Sequence, residues 1–258
     1  NFILLEQYAE NRSAETWTIA LQGALEGLPV EVIQATSDEA KALRRHAQHD
    51  LGAHHAPDLF HVQHEVVKAT GAVLAQHVRH AEKAVVSASA VLDNHRKAAI
   101  TYRSSSRRPQ GRPPAFDQRI ADADQAVVEA EVDLDETRER RAAAQEQVRE
   151  IGAAYHPYHL ETGQAQSVED VSNRLETCWE KLNELAQEAN LPDRCFKKLR
   201  KARRVTSELL ATVGFFFATL QAKIEALNLA PEVEEVTYQY LIPAIYLDYV
   251  AKKTQDRE

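Results

Sequence analysis

The pattern of apolar and polar positions changes character near residue 62. Before it, short apolar runs flank one amphipathic stretch; after it, apolar residues recur at helical spacing for most of the chain. The run Phe2-Ile3-Leu4-Leu5 predicts a strand over residues 2–8, and Val30 to Thr36 predicts a second. Between them Ser13 is placed to cap a helix whose apolar face is Trp17, Leu21, Ala24, Leu25 and Leu28, ended by Gly27 and Pro29. Strand, helix and strand with short loops predict a βαβ unit with parallel neighbouring strands. A shorter helix is predicted from about Asp38 to His49, closed by Gly52.

Two seven-residue repeats follow. Val67, Leu74, Ala81, Ala88 and His95 form one seam, flanked by Gly71, Val78, Val85, Leu92 and Ala99. Ile120, Val127, Leu134, Arg141 and Val148 form the other, flanked by Ala123, Ala130, Thr137, Ala144 and Ile151. This spacing keeps an apolar stripe facing a partner helix. The linker Thr101 to Pro114 cannot continue a helix through Pro109, Pro113 and Pro114. A long antiparallel helical hairpin over about 63–152 is therefore expected, with an Arg-rich tip at 101–114. A loop near Tyr155 to Gln166 then leads to Ser167 with Asp170 three residues on, a capping-box-like start. Pro192 is expected to open a helix running to about Leu229, and Pro231 another reaching the C-terminus with a kink at Pro243. The fold class expected is mainly α with a small α/β start: residues 1–62, then an all-helical region 63–258 with a bundle over about 165–253.

Composition narrows the function classes. The chain has 258 residues, 44% hydrophobic and 27% charged, with Gly 8 and Pro 9, values that favour helices over turn-rich β structure. A net charge of −8 gives no global basic field. Cys178 and Cys195 form no C-x-x-C pair, so a reduced, cytoplasmic setting is expected. The longest apolar stretch, Leu209 to Leu220, is twelve residues and reads as a buried helix segment rather than a membrane span. Met 0, with Asn1 opening onto an apolar run, predicts a fragment that begins inside a strand of a longer protein.

Three constellations carry candidate chemistry. Asp38 follows the predicted strand, where an α/β layer places functional groups. It is either a helix-terminal carboxylate or a ligand for a hard divalent cation. Asp58-Leu59-Phe60-His61 follows, in a region holding eight of the 11 histidines between His46 and His80. His61/His64 and His77/His80 have i, i+3 spacing but lack a third ligand for zinc. Two cationic runs complete the set: Arg103, Arg107, Arg108 and Arg112 at the tip, and Lys197, Lys198, Arg200, Lys201, Arg203 and Arg204 near a predicted helix start. Either run is a solvated face or a phosphate-backbone contact. A Gly-rich phosphate loop, a G-x-S-x-G elbow and an H-E-x-x-H motif are absent from the sequence.

The strand into Ser37-Asp38-Glu39-Ala40-Lys41, followed by Pro57-Asp58-Leu59-Phe60-His61-Val62, resembles the middle of bacterial DDE-type transposases with an RNase H-like catalytic core. The resemblance is closest over roughly Phe2 to Leu74. It implies that Asp38 is the second acidic ligand of a Mg²⁺ (or Mn²⁺) site, and that His61, with Asp58 as its companion, is the histidine of an aspartate-x-x-histidine segment. It implies metal-dependent cleavage and strand transfer at transposon ends, with transposon and target DNA as partners and both arginine and lysine runs gripping DNA. The first acidic ligand would lie upstream of Asn1. The third is not visible, since Glu232, Glu234 and Glu235 stand in an ordinary helix-start context. The chain alone is then expected to be inactive. Homo-oligomerisation stays open and no membrane partner is expected. Two alternatives stand beside this one: a non-catalytic helical interaction module, and another RNase H-like nuclease.

Overall fold

The computed structural model describes residues 3–11, 13–38, 40–106 and 111–255. It is mainly helical with one small parallel sheet. The chain divides into two compact units. One comprises residues 1–66, 147–181 and 197–258; the other comprises residues 67–146 and 182–196.

In the first unit, helix α1 (Ala14–Leu25) begins where expected, with the Ser13 hydroxyl accepting from Thr16 N. The sheet is only half where the apolar runs placed it: its first strand overlaps the expected 30–36 strand, and its second does not. Strand β1 (Gln34–Ser37) pairs in parallel with β2 (His54–Pro57), in the register Gln34↔His54 through Ser37↔Pro57. Residues 3–8 form no strand, and Ile3 and Tyr8 are 86% and 90% exposed. An apolar run becomes a strand only where a neighbour satisfies its backbone groups, and among the described residues β1 and β2 pair with each other alone. The βαβ unit therefore exists one step later in the chain. Its crossover is α2 (Lys41–Arg45), which relaxes into a π-helical turn (His46–Asp50) and ends at Gly52 with φ +63°.

The sheet is held by α7 (Thr206–Glu225). His54 Nε2 lies 3.0 Å from Thr212 Oγ1 while its ring stacks on Phe215 at 4.4 Å. Leu209, Thr212 and Val213 of α7 are buried, while most of the remaining apolar stretch to Leu220 is half-buried or exposed. Together α6 and α7 contain a window long and apolar enough for a membrane by length and composition alone. Beyond the sheet, helix α5 (Val168–Glu188) starts from a reciprocal cap in which Asp170 Oδ2 accepts from Ser167 N and Asp170 N donates to Ser167 Oγ. The expected helix from Pro192 to Leu229 is two: α6 (Asp193–Arg203) and α7, broken at Arg204-Val205. Helix α8 (Pro231–Val236) passes through a π-turn (Thr237–Leu241) into α9 (Ile242–Gln255). The widened turn directly precedes Pro243, which cannot donate to the preceding turn.

The second unit contains most of the heptad region. Helix α3 (Leu59–Ser104) and α4 (Phe116–Ala154) run antiparallel here, as the ion pairs Arg138–Glu82, Arg96–Asp124 and Arg103–Asp117 show. Val78, Ala81 and Leu134 form its apolar centre, with Val85 packed against them. The flanking column Ala123, Thr137 and Ala144 is buried, whereas Arg141 of the expected seam is exposed.

Candidate functional site

Ser37 and Pro57 are register partners, so the residues that follow them, Asp38 and Asp58, leave the sheet at the same C-terminal edge. The backbone continues the pairing there, with Asp58 N donating to Ser37 O at 2.9 Å. The two carboxylates then do different local work. Asp58 caps α3: Oδ1 accepts from Phe60 N at 3.0 Å, and Oδ2 lies 2.6 Å from His61 Nδ1. Asp38 does not cap α2. That helix begins after Ala40, which supplies no side-chain bond, and Asp38 Oδ1 makes only a turn contact with Ala40 N at 3.2 Å.

Asp38, Asp58 and His61, the three residues expected to act together, line one cavity of about 260 Å³. Glu65 and Lys201 complete its polar lining, and Ala40, Val62, Ala202 and Val205 form its apolar part. Asp58 holds His61 in one orientation, an arrangement able to accept or deliver a proton. Lys201 adds an ammonium to a cavity otherwise rich in carboxyl groups.

Behind the cavity edge lies a buried network that the sequence did not disclose. His55 Nε2 is 2.8 Å from Ser37 Oγ, and Ser37 Oγ donates to Asp38 O at 2.9 Å. On its other side His55 Nδ1 faces Glu208 Oε2 at 3.8 Å, while Glu208 Oε1 binds Arg44 at 2.8 Å. Burial pushes the His55 imidazole below its ordinary value, and Glu208 opposes that shift. The paired His54-His55 dipeptide carried no apolar signal, and Glu208 is remote in sequence, so neither strand nor network was visible from spacing.

The remaining histidines act singly. His46 Nδ1 joins Thr18 and Asp50, and His64 stacks on Phe60 at 5.7 Å. Among the described residues, no group of three or more His, Cys, Asp or Glu side chains is placed to hold a metal ion. The donor set present therefore does not fit a Mg²⁺ or Mn²⁺ site by itself. The late carboxylates Glu232 and Glu234 lie in the first turn of α8, with Glu235 following, as their context implied.

The cationic runs need correction. Arg103 is bound to Asp117 at 2.6 Å; Arg112 is exposed; Arg107 and Arg108 lie outside the described residues. The second run is not at a helix start. Lys197 and Lys198 fall in the middle of α6, and Arg200, Lys201 and Arg203 lie in its last turn. Cations are favoured there by the helix dipole, so their position needs no functional excuse. Arg203 pairs with Glu176, and all six side chains, Arg204 included, are exposed.

No family model matches this chain, and no curated protein or solved structure matches it significantly.

Proposed function

We propose that this chain is part of the catalytic region of a DNA transposase, with an RNase H-like core that cleaves and joins phosphodiester strands. One observation carries the reading. Two adjacent parallel strands end in register at Asp38 and Asp58, and both side chains, with His61, line a single cavity. The C-terminal edge of a parallel sheet is where α/β proteins assemble reacting groups. Asp38 is the member free of a capping duty on the helix it precedes, which suits a carboxylate kept for chemistry. Chemistry of this class would draw on divalent cations. The described residues do not assemble such a site, so cation dependence is a quantity to measure. The test is Mg²⁺-dependent cleavage and joining of DNA by the full-length protein and its Asp38→Ala variant; equal rates would overturn the reading. A nuclease of the same core would cleave without joining.

A second reading, a helical interaction module without catalysis, is favoured by a specific surface. Val236, Tyr240, Leu241, Ile245 and Tyr249 are exposed along α8 to α9. Light scattering separates the two: a strictly monomeric chain that binds DNA in a salt-sensitive way contradicts the module.

A further inference from the structure

Among the described residues of the two cationic runs, Lys201 lies in the lining of the cavity that holds the carboxylates. Lys201 lines the space bounded by Asp38, Asp58, His61 and Glu65. It is also a member of the exposed cationic edge of α6. Lys197 and Lys201 are one helical turn apart, and Arg200 lies beside them on the same face. The opposite face of that segment is apolar and buried through Leu199 and Ala202. The helix is thus anchored on one side and presents cations on the other.

A phosphodiester entering the cavity meets three carboxyl side chains, which repel it. An ammonium within the same lining offsets part of that repulsion, and Lys197 and Arg200 extend the cationic edge from it along α6. At the hairpin tip, Arg103 is bound to Asp117. We propose that the exposed edge of α6 is a DNA phosphate-backbone track, and that Lys201 is the residue that delivers a backbone phosphate into the Asp38–Asp58–His61 cavity.

The inference takes its ligand class from the transposase reading, but its test reads binding alone. Binding of a short fluorescein-labelled duplex to the full-length protein is followed by anisotropy across a salt series. Lys201→Gln is expected to weaken binding several-fold and to lower the slope of log K against log salt by about one, the effect of losing one phosphate contact. Lys197→Gln should do the same, while Lys223→Gln on α7 should change neither quantity. A photo-crosslinking side chain at position 201 should label DNA, and one at position 223 should not. An unchanged slope for Lys201→Gln, or equal crosslinking at both positions, overturns the inference. A lowered slope with no cleavage by any variant sustains the inference and removes the transposase reading. Cleavage that depends on Asp38 with an unchanged Lys201 slope does the reverse.

Discussion

Ser37 and His55, on neighbouring parallel strands, are joined by a 2.8 Å hydrogen bond between hydroxyl and Nε2. Because Ser37 Oγ donates to the Asp38 carbonyl, His55 must donate through Nε2. In the neutral ring that leaves a lone pair at Nδ1 turned toward Glu208 Oε2, and both atoms are buried without a hydrogen-bond partner. Burial and the carboxylate therefore pull on the imidazole in opposite directions, with burial the larger cause.

Glu208→Gln should accordingly be tolerated better than Glu208→Ala. The amide can donate to His55 Nδ1 and still offer an oxygen to Arg44, satisfying both orphans. The expected change is within about 0.5 kcal/mol for Gln and a loss of roughly 1–2 kcal/mol for Ala, read from urea unfolding at neutral pH. Equal losses for the two variants would show that the facing lone pairs cost nothing.

Acid sensitivity follows from three histidines. His54, His55 and His156 are all held below the ordinary value of 6.5, each chiefly by burial. A lowered folded value means that the unfolded chain binds protons first. Stability is then complete above about pH 6.5 and is lost as pH falls below it through the folded values. Urea midpoints should stay level from pH 7.5 to about pH 6.5 and fall from there toward pH 5, and His54→Gln should flatten that fall. A midpoint independent of pH over this interval would contradict the burial argument.

Trp179 Nε1 donates to Thr206 Oγ1 at 2.9 Å between two buried residues. Thr206→Val keeps the volume and leaves a buried indole N–H without its partner, at a cost of about 1–3 kcal/mol. Unfolding followed by tryptophan fluorescence measures it. A neutral outcome would mean that another acceptor reaches the indole.

The thiol of Cys178 is buried and pushed up to about 11, mainly by burial. A thiolate is the reactive form, so alkylation of the native protein at pH 8 should leave this residue unlabelled, and denaturant should expose it. Rapid native labelling would place Cys178 at the surface.

Much of the helical architecture was legible because its signals are local. Ser13, and Ser167 with Asp170, cap helices where their spacing placed them. The heptads foresaw antiparallel helices, although Arg141 shows that one assigned seam sat a step off the buried column. The sheet was half legible. β2 is His-His-Ala-Pro, two histidines held by a hydrogen bond and ring stacking beside a small alanine and a proline, so an apolar scan passes over it. Residues 3–8 erred the other way, because an apolar run without a partner strand stays exposed. At the site, Asp38, Asp58 and His61 were visible as a pattern, and the fold brings them together. Glu208 and the place of Lys201 in the cavity depend on tertiary packing, which no spacing along the chain encodes.

The capping geometry separates the two aspartates in a way that stability can read. Asp58→Ala removes the cap of α3 and should cost about 1 kcal/mol. Among the described residues the Asp38 carboxylate makes a turn contact to Ala40 N and acts on the His55 imidazole as a weak charge, so Asp38→Ala should fall within about 0.5 kcal/mol of the parent protein. Denaturant titration of both variants decides this, and an Asp38→Ala cost equal to that of Asp58→Ala would make Asp38 a structural residue.

The central claim is that Asp38 is kept for chemistry on DNA, and single-turnover strand cleavage by the full-length protein in Mg²⁺ tests it most directly. The account predicts that Asp38→Ala, with its unfolding midpoint unchanged, loses at least about 100-fold in rate, the scale of removing one electrostatic group from a reaction centre. Cleavage by that variant at the parent rate would contradict it.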